Sequence, residues 1–321
     1  MAQTDQQIVR VGTRDSVLAR LQTDIIIARL SANFPGLVCE IVPVTTHGDK
    51  VLDRPIAELG TRGVFVKELE QSLLSNEVDL VVHSLKDLPT DLPSGLKLAA
   101  VLDREDPRDV LVSHNQLSLE QLPEGSRIAT SSRRRAAQLK HIRSDFEFVD
   151  VRGNISTRLQ KHDEGLCHAI VLAAAGLLRL GLTDRISQYL DPSISMPAAG
   201  QGALAVECRA AEERILELCR AIDHPATNAQ VTAERAFLDE LGGGCSVPIG
   251  ALCVSGVDGS LLLSACVVSL DGAELMRASR KGSPAEAEQI GRGLAGQMLA
   301  DGADRILQTL KTSAPNPVSA P

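Results

Sequence analysis

The sequence predicts an α/β protein of two lobes followed by a small α+β domain, and three observations lead there. Val- and Ile-rich runs alternate with amphipathic segments of helix length over about the first two hundred residues. Two connectors, one charged and one rich in Pro and Gly, interrupt that alternation at 103–108 and 193–202. Beyond about residue 223 the order changes to a long helical segment, two Leu/Val-rich runs and a further helix.

Taken in order, Ile8–Gly12 is expected as a strand, Ser16–Asn33 as a helix, Val38–Thr45 as a strand, Val64–Ser75 as a helix and Val78–His83 as a strand. That alternation argues for parallel βαβ units. A second set follows: Asp109–Ser113, Arg127–Thr130, a helix from Arg133 to about His141, Phe146–Val151, a helix from Ile155, and Ala169–Ala173. Ser131-Ser132 and Asn154 are placed to cap the two helices of this set. The chain crosses between the sets at Asp103–Arg108 and returns through Ser193–Gly202 into the strand Ala203–Glu207. Two connectors between two α/β lobes leave a cleft, where ligands commonly sit. A helix from about Ala226 to Leu241 then precedes strands at Ile249–Val257 and Leu261–Leu270. Ser283-Pro284-Ala285-Glu286 has the form of a capping box and opens a helix through Ile290, Leu294 and Leu299 toward Leu310. The Pro/Ser/Ala-rich tail 312–321 is expected to be disordered. The expected division is 1–102 with 200–221 for the first lobe, 103–199 for the second and 222–311 for the α+β domain.

Composition narrows the function. With 44% hydrophobic and 23% charged residues, the 321-residue chain can bury a sizeable core. A net charge of −8, 2% aromatics and no Trp disfavour nucleic acid as a partner. The longest apolar run, Ala169–Leu182, is broken by Arg179 and too short for a bilayer, so no membrane role is expected. Met1–Arg10 is polar, without the apolar core of a secretory signal. Seven cysteines, an odd number with no C-x-x-C pair, fit neither a disulfide framework nor a zinc site. A cytoplasmic, metal-free enzyme is the expectation.

Against that acidic background, 127–161 holds nine Lys/Arg and three acids, a local excess of six positive charges. Arg133, Arg134 and Arg135 fall in the first turn of a helix, where cations oppose the helix dipole. Guanidinium groups, free backbone N–H groups and serine hydroxyls there would meet a bound anion together. A solvated basic face is the plainer alternative. Val151-Arg152-Gly153-Asn154 repeats the theme, with Arg158 just inside the next helix. Singly these are surface arginines; with the triple they imply a ligand bearing several carboxylates or phosphates.

At the end of the strand Val78–His83 stand Ser84, Lys86 and Asp87, where α/β folds keep their sites. An ionised Asp87 beside Lys86 suits the stabilisation of a developing cation or a proton transfer, against the plain alternative of a Lys–Asp turn before Pro89. His83 is expected to be a packed strand-end side chain. Gly242-Gly243-Gly244 strips side-chain cover from Cys245, which therefore stands out from the other cysteines as a nucleophile or attachment point.

These segments resemble a known family. Val11-Gly12-Thr13-Arg14-Asp15-Ser16, His83-Ser84-Leu85-Lys86-Asp87-Leu88-Pro89-Thr90, Thr130-Ser131-Ser132 with Arg134-Arg135, Val151-Arg152-Gly153-Asn154, Pro197–Gly202 and Gly243-Gly244-Cys245 occur in the order found in porphobilinogen deaminases, also called hydroxymethylbilane synthases. The resemblance spans about Ile8 to Leu310. It implies two doubly wound lobes like those of periplasmic binding proteins, with a small α+β domain presenting a cysteine. It also implies stepwise deaminating condensation of four porphobilinogen molecules into a linear tetrapyrrole, on a dipyrromethane cofactor bound by a thioether to Cys245.

By the same resemblance Asp87 is the catalytic carboxylate. Ser84, Lys86, Thr130, Ser132, Arg134 and Arg135 would hold the cofactor's acetate and propionate groups. Arg14, Ser16, Arg152, Arg158 and Arg179 would bind substrate and growing chain, and a monomer is implied. Three positions depart from the family pattern: Arg133 and Leu178 stand where leucine and lysine are usual, and Gly60-Thr61-Arg62-Gly63 replaces a lysine-containing loop. The rival expectation is a non-catalytic two-lobed binding protein for a polycarboxylate, which has no use for Cys245 or the third domain.

Overall fold

The computed structural model describes residues 8–46, 48, 66–243 and 247–312. In the first lobe, β1 (Ile8–Thr13) buries Val9 and Val11 and leads into α1 (Val17–Asn33). Ser16 caps α1, its Oγ accepting from the Ala19 N–H at 3.2 Å. β2 (Val38–Pro43), α2 (Lys67–Leu74), β3 (Leu80–Ser84) and β4 (Leu96–Val101) follow; Val64 and Phe65, expected at the start of α2, lie outside the described residues. With β10 (Leu204–Arg209) the strands form one sheet in the order β2-β1-β3-β10-β4. Ile26 and Leu30 of α1 pack on its strands together with Ile215 and Leu218 of α6 (Glu213–Arg220).

The second lobe repeats the plan with β5 (Asp109–Ser113), β6 (Arg127–Ala129), α3 (Arg133–Ile142), β7 (Glu147–Val149), α4 (Ile155–Asp163), β8 (Ala169–Ala173), α5 (Ala174–Arg179) and β9 (Gln188–Tyr189). Its strand order is β7-β6-β8-β5-β9. Ser132 and Asn154 cap α3 and α4 through the N–H groups of Arg135 and Thr157. The apolar run after Ala169 is a strand that turns directly into α5, which places Arg179 at a helix end.

Neither sheet is wholly parallel. β10 runs antiparallel to β3 and β4, and β5 runs antiparallel to β8 and β9. Each reversed strand is the first one made after the chain crosses between lobes. A chain arriving from the cleft enters where the parallel strands finish, as the pairs Leu204–Ser84 and Asp109–Ala173 record, and must run against them.

The third domain has α7 (Pro225–Glu240), β11 (Ile249–Ser255), β12 (Leu261–Val268), β13 (Leu275–Gly282), α8 (Ala287–Met298) and α9 (Asp304–Thr312). Phe237, Leu263, Val267 and Leu294 share its core between the antiparallel sheet and the helices. The helices meet closely at Gly291, where a Cβ would fall 2.3 Å from the Ala233 carbonyl oxygen. The Ser283/Glu286 capping box is present. The helix it opens does not continue unbroken to Leu310: a π-turn at Leu299–Ala303, with Gly302 at φ 106°, separates α8 from α9.

The two connectors touch backbone to backbone. Glu105 N donates to Gly202 O at 3.2 Å, Gly202 has φ +91°, and a Cβ there would lie 2.3 Å from the Glu105 oxygen. Gly202→Ala is therefore expected to lower stability by about 2–4 kcal/mol, through a disfavoured φ and a backbone clash together. Thermal or denaturant unfolding checks this; a melting temperature equal to the parent's would contradict it.

Candidate active site

The C-terminal ends of β1, β3 and β8 open onto one cleft of about 560 Å³ between the lobes. On the first-lobe side, Arg14 and Ser16 follow β1, and Ser84 ends β3 with Lys86 and Asp87 beyond it. Ser84 Oγ is bonded to Gln22 Nε2 of α1 at 2.9 Å. Leu85–Asp87 forms a single 3-10 turn, closed by Leu88 N donating to Leu85 O at 3.1 Å. Leu85 N donates to Ala203 O at 3.0 Å, which pins the turn to the return connector. Asp87, half-buried at the end of the turn, lines the cleft.

From the second lobe come Arg135 in the first turn of α3, Arg152 before α4, Arg158 within α4 and Arg179 at the end of α5. Arg158 Nε donates to Gly153 O at 2.7 Å, and Arg179 Nη2 reaches Gly202 O at 2.7 Å. Among the described residues the lining therefore has six cations (Arg14, Lys86, Arg135, Arg152, Arg158, Arg179) and two acids, Asp15 and Asp87. Burial pulls Lys86 from its ordinary 10.5 to about 8; Asp87 opposes this and the charge of Arg135 adds to it. Burial, then Arg135, brings Arg158 to about 10. Arg135 and Arg179 are lowered too, chiefly by burial. A pocket that penalises its own cations gains most from an anion that restores them.

Beneath the cleft floor lies a carboxylate that sequence reasoning missed. Asp109, at the start of β5, is fully buried. Its Oδ1 accepts from Arg135 Nη2 at 2.7 Å, Arg135 Nε at 2.9 Å and Gln201 Nε2 at 2.9 Å. Its Oδ2 accepts from Arg134 Nη1 at 2.7 Å and Ser195 Oγ at 2.8 Å. Burial would push this carboxyl up, but Arg134 and Arg135 overturn that and hold it far below the usual carboxylate range. The unfavourable arginines at the start of α3 are thus compensated from inside the protein, which the sequence-based expectation of a bound anion alone did not foresee.

That arrangement divides the predicted residues. Arg14, Ser16, Ser84, Lys86, Asp87, Arg135, Arg152, Arg158 and Arg179 all line the cleft. Arg134 sits behind it, buried, with Nη1 also donating to Met196 O at 2.5 Å. Thr130 and Ser132 also lie outside the lining: Thr130 Oγ1 accepts from Ser132 N at 3.2 Å, and Ser132 caps α3. Cys245 and the segment Gly60–Gly63 lie outside the described residues. Gln201, within the Pro/Gly-rich segment 193–202, joins the two lobes. Its Nε2 donates to Pro107 O at 2.7 Å, and its Oε1 faces Lys86 Nζ at 3.4 Å. The one sequence signal for Asp109 was a carboxylate heading an otherwise apolar strand.

Comparison with known proteins identifies the family. Residues 9–217 match the family model described as porphobilinogen deaminase, dipyromethane cofactor binding domain, and residues 228–300 match the porphobilinogen deaminase C-terminal domain. A curated porphobilinogen deaminase from Syntrophobacter fumaroxidans (strain DSM 10017 / MPOB) is 49% identical over 304 residues, covering 95% of this chain and 98% of its own. Solved structures with similar lobes include the periplasmic VFT2 domain of Bordetella pertussis BvgS, at 16% identity and TM-score 0.41, covering 68% of this chain and 87% of that one. A probable amino-acid ABC transporter extracellular-binding protein, ytmK of Bacillus subtilis, gives 14% identity and TM-score 0.40, covering 67% and 90%. With both family models matched in order and a near-full-length relative at this identity, the chain belongs to the porphobilinogen deaminase family.

Proposed function

We propose that Asp87 is the catalytic carboxylate of the cleft and that Cys245 attaches its cofactor. As a member of the family the chain is a transferase with hydroxymethylbilane synthase activity: four porphobilinogen molecules are joined into a linear tetrapyrrole with loss of ammonia at each addition. Membership sets aside the non-catalytic binding protein. The observation that supports the assignment most directly is that Asp87 shares one cleft with six cations.

The residues present fit a dipyrromethane. Each pyrrole ring brings two carboxylates, and the lining has four more cations than acids. Ser84, Lys86 and Arg135 hold the cofactor's carboxylates from the lining. Thr130, Ser132 and Arg134 act from behind it by fixing the first turn of α3, from which Arg135 projects. When bound, the dipyrromethane supplies the free pyrrole position at which the first substrate is joined. Arg14, Arg152, Arg158 and Arg179 grip the carboxylates of substrate and growing chain, and Ser16, accepting from Ala19, keeps its hydroxyl proton to donate.

Asp87 accepts from pyrrole N–H groups. Its charge stands against the positive charge that develops on the substrate as the amine departs, a term worth most in a preorganised, partly dry site. Lys86 orients a carboxylate beside it. We further propose a cytoplasmic monomer acting on a small molecule, with domains bounded at 102/103, 199/200 and 221/222. Among the described residues no helix is long and apolar enough to cross a membrane.

Intact mass tests the attachment. Active protein should exceed its sequence mass by one dipyrromethane, and Cys245→Ser should lose that increment; an unmodified chain that still turns over porphobilinogen would refute it. Asp87→Asn should keep its fold by circular dichroism while turnover falls by roughly 10²-fold or more, and appreciable residual activity would count against Asp87.

Lys86 gives a pH test. Its pKa lies below the ordinary value, so the charged form is lost as pH rises through about 8, and carboxylate binding should weaken above that point. The rate at which unloaded protein takes up its cofactor should show an alkaline limb near pH 8 that Lys86→Arg removes. A limb unchanged in the variant assigns the titration to another group.

A further inference from the structure

α7 belongs to the third domain, yet one of its side chains reaches into the first lobe directly behind the catalytic turn. Arg235 Nη1 donates to Leu88 O at 2.9 Å, and Arg235 Nη2 donates to Pro89 O at 2.6 Å and Thr90 O at 3.3 Å. These are the three residues that follow Asp87. One turn further along α7, Asp239 Oδ1 accepts from Thr90 Oγ1 at 3.1 Å. One turn earlier, Val231 packs with Leu85 and Leu88 on either side of Lys86-Asp87. Val231, Arg235 and Asp239 thus form one helical stripe laid along the segment that leaves the active site.

The segment needs such support. Pro89 and Pro93 have no backbone N–H to give, and Leu88–Thr90 belongs to neither helix nor strand. On its upstream side the turn is tied by Leu85 N to Ala203 O. On its downstream side the carbonyls of three consecutive residues converge on one planar guanidinium. A lysine, with a single nitrogen, cannot span that set.

Resting on the assignment of Asp87 as the catalytic carboxylate, we propose that Arg235 is a positioning residue that fixes the Asp87 turn against the third domain through the Leu88, Pro89 and Thr90 carbonyls. The same helix ends at Glu240, five residues before Cys245 in the sequence.

The test uses Arg235→Lys and Arg235→Met made in the full chain, with cofactor loading read by intact mass and folding by melting temperature. Both should load normally, because the cleft cations are untouched. In both, kcat should fall by about tenfold or more while KM stays within about twofold, since the loss concerns placement of the reacting carboxylate rather than uniform binding. Lysine should not rescue, because it keeps the charge and loses the three-carbonyl fit. Should Arg235→Met fail to fold, Arg235→Lys alone supports the same comparison.

A cycle with Asp87→Glu separates the two ideas. Arg235→Lys should cost less than about twofold in that background if it acts through residue 87. A kcat within about twofold of the parent in Arg235→Lys, or losses that multiply in the double variant, overturns the positioning role. Full activity of Asp87→Asn instead overturns the assignment of Asp87 while leaving the effect of Arg235 to be read on its own.

Discussion

One buried carboxylate, shared by two guanidinium groups, holds the active cleft together. Asp109 accepts from Arg134, Arg135, Ser195 and Gln201, so a single side chain on β5 ties down α3 and two points on the return connector. Two positive charges against one negative leave the site beneath the cleft with an excess of one. A buried ion pair gains little over a well-packed apolar core, but losing one partner is costly, on the order of 3–5 kcal/mol, because the other charge is stranded. Here the uncompensated charge lies against the cleft. It adds to the burial that holds Lys86 near 8, and it leaves Arg135 facing the cleft with half of a shared carboxylate.

Much of this was legible in the sequence. The caps at Ser132, Asn154 and Ser283 stand where short polar residues precede helical segments, and all three form. The positions of Lys86, Asp87, Arg152 and Arg158 at strand ends or an early helix turn pointed to one cleft, and the family resemblance added Arg14 and Arg179. Strand direction was not legible, because local pattern records that a segment is extended and not which way it enters a sheet. The polar, exposed run Leu275–Gly282 hid β13, an edge strand whose apolar alternation is weak. The triple Arg133–Arg135 could not all face one ligand, since neighbours on a helix point about 100° apart. Arg135 faces the cleft and Arg134 faces Met196. Asp109 and Arg235 were invisible for a different reason: their partners lie 25 and more residues away, and nothing in the spacing announces the pairing.

The third domain meets both connectors through one side chain. Glu234 of α7 is buried and accepts from both terminal nitrogens of Arg104 at 2.6 and 3.1 Å. It also takes the N–H groups of Gly200 and Cys253, each at 2.7 Å. Arg104 lies on the outbound connector, Gly200 on the return connector and Cys253 on β11. A carboxylate met by a bidentate arginine and two backbone donors has its acceptor capacity filled, which is the condition for a buried charge to be tolerated. The third domain is therefore joined to the lobes where both chain crossings pass, and α7 provides the join.

Two kinds of arginine follow from these contacts, and they do different work. Arg104 is matched by a buried carboxylate and Arg134 shares one with Arg135, and both hold architecture. Arg158 and Arg179 are oriented by backbone carbonyls at Gly153 and Gly202. A carbonyl carries only a partial charge, so it fixes the guanidinium without neutralising it. Such a side chain keeps its full unit of charge for a ligand and loses little freedom when the ligand arrives. A cleft meant to hold a chain of acidic rings needs the second kind along its walls and the first kind behind them. Composition cannot tell the two apart; the atom that each guanidinium meets decides.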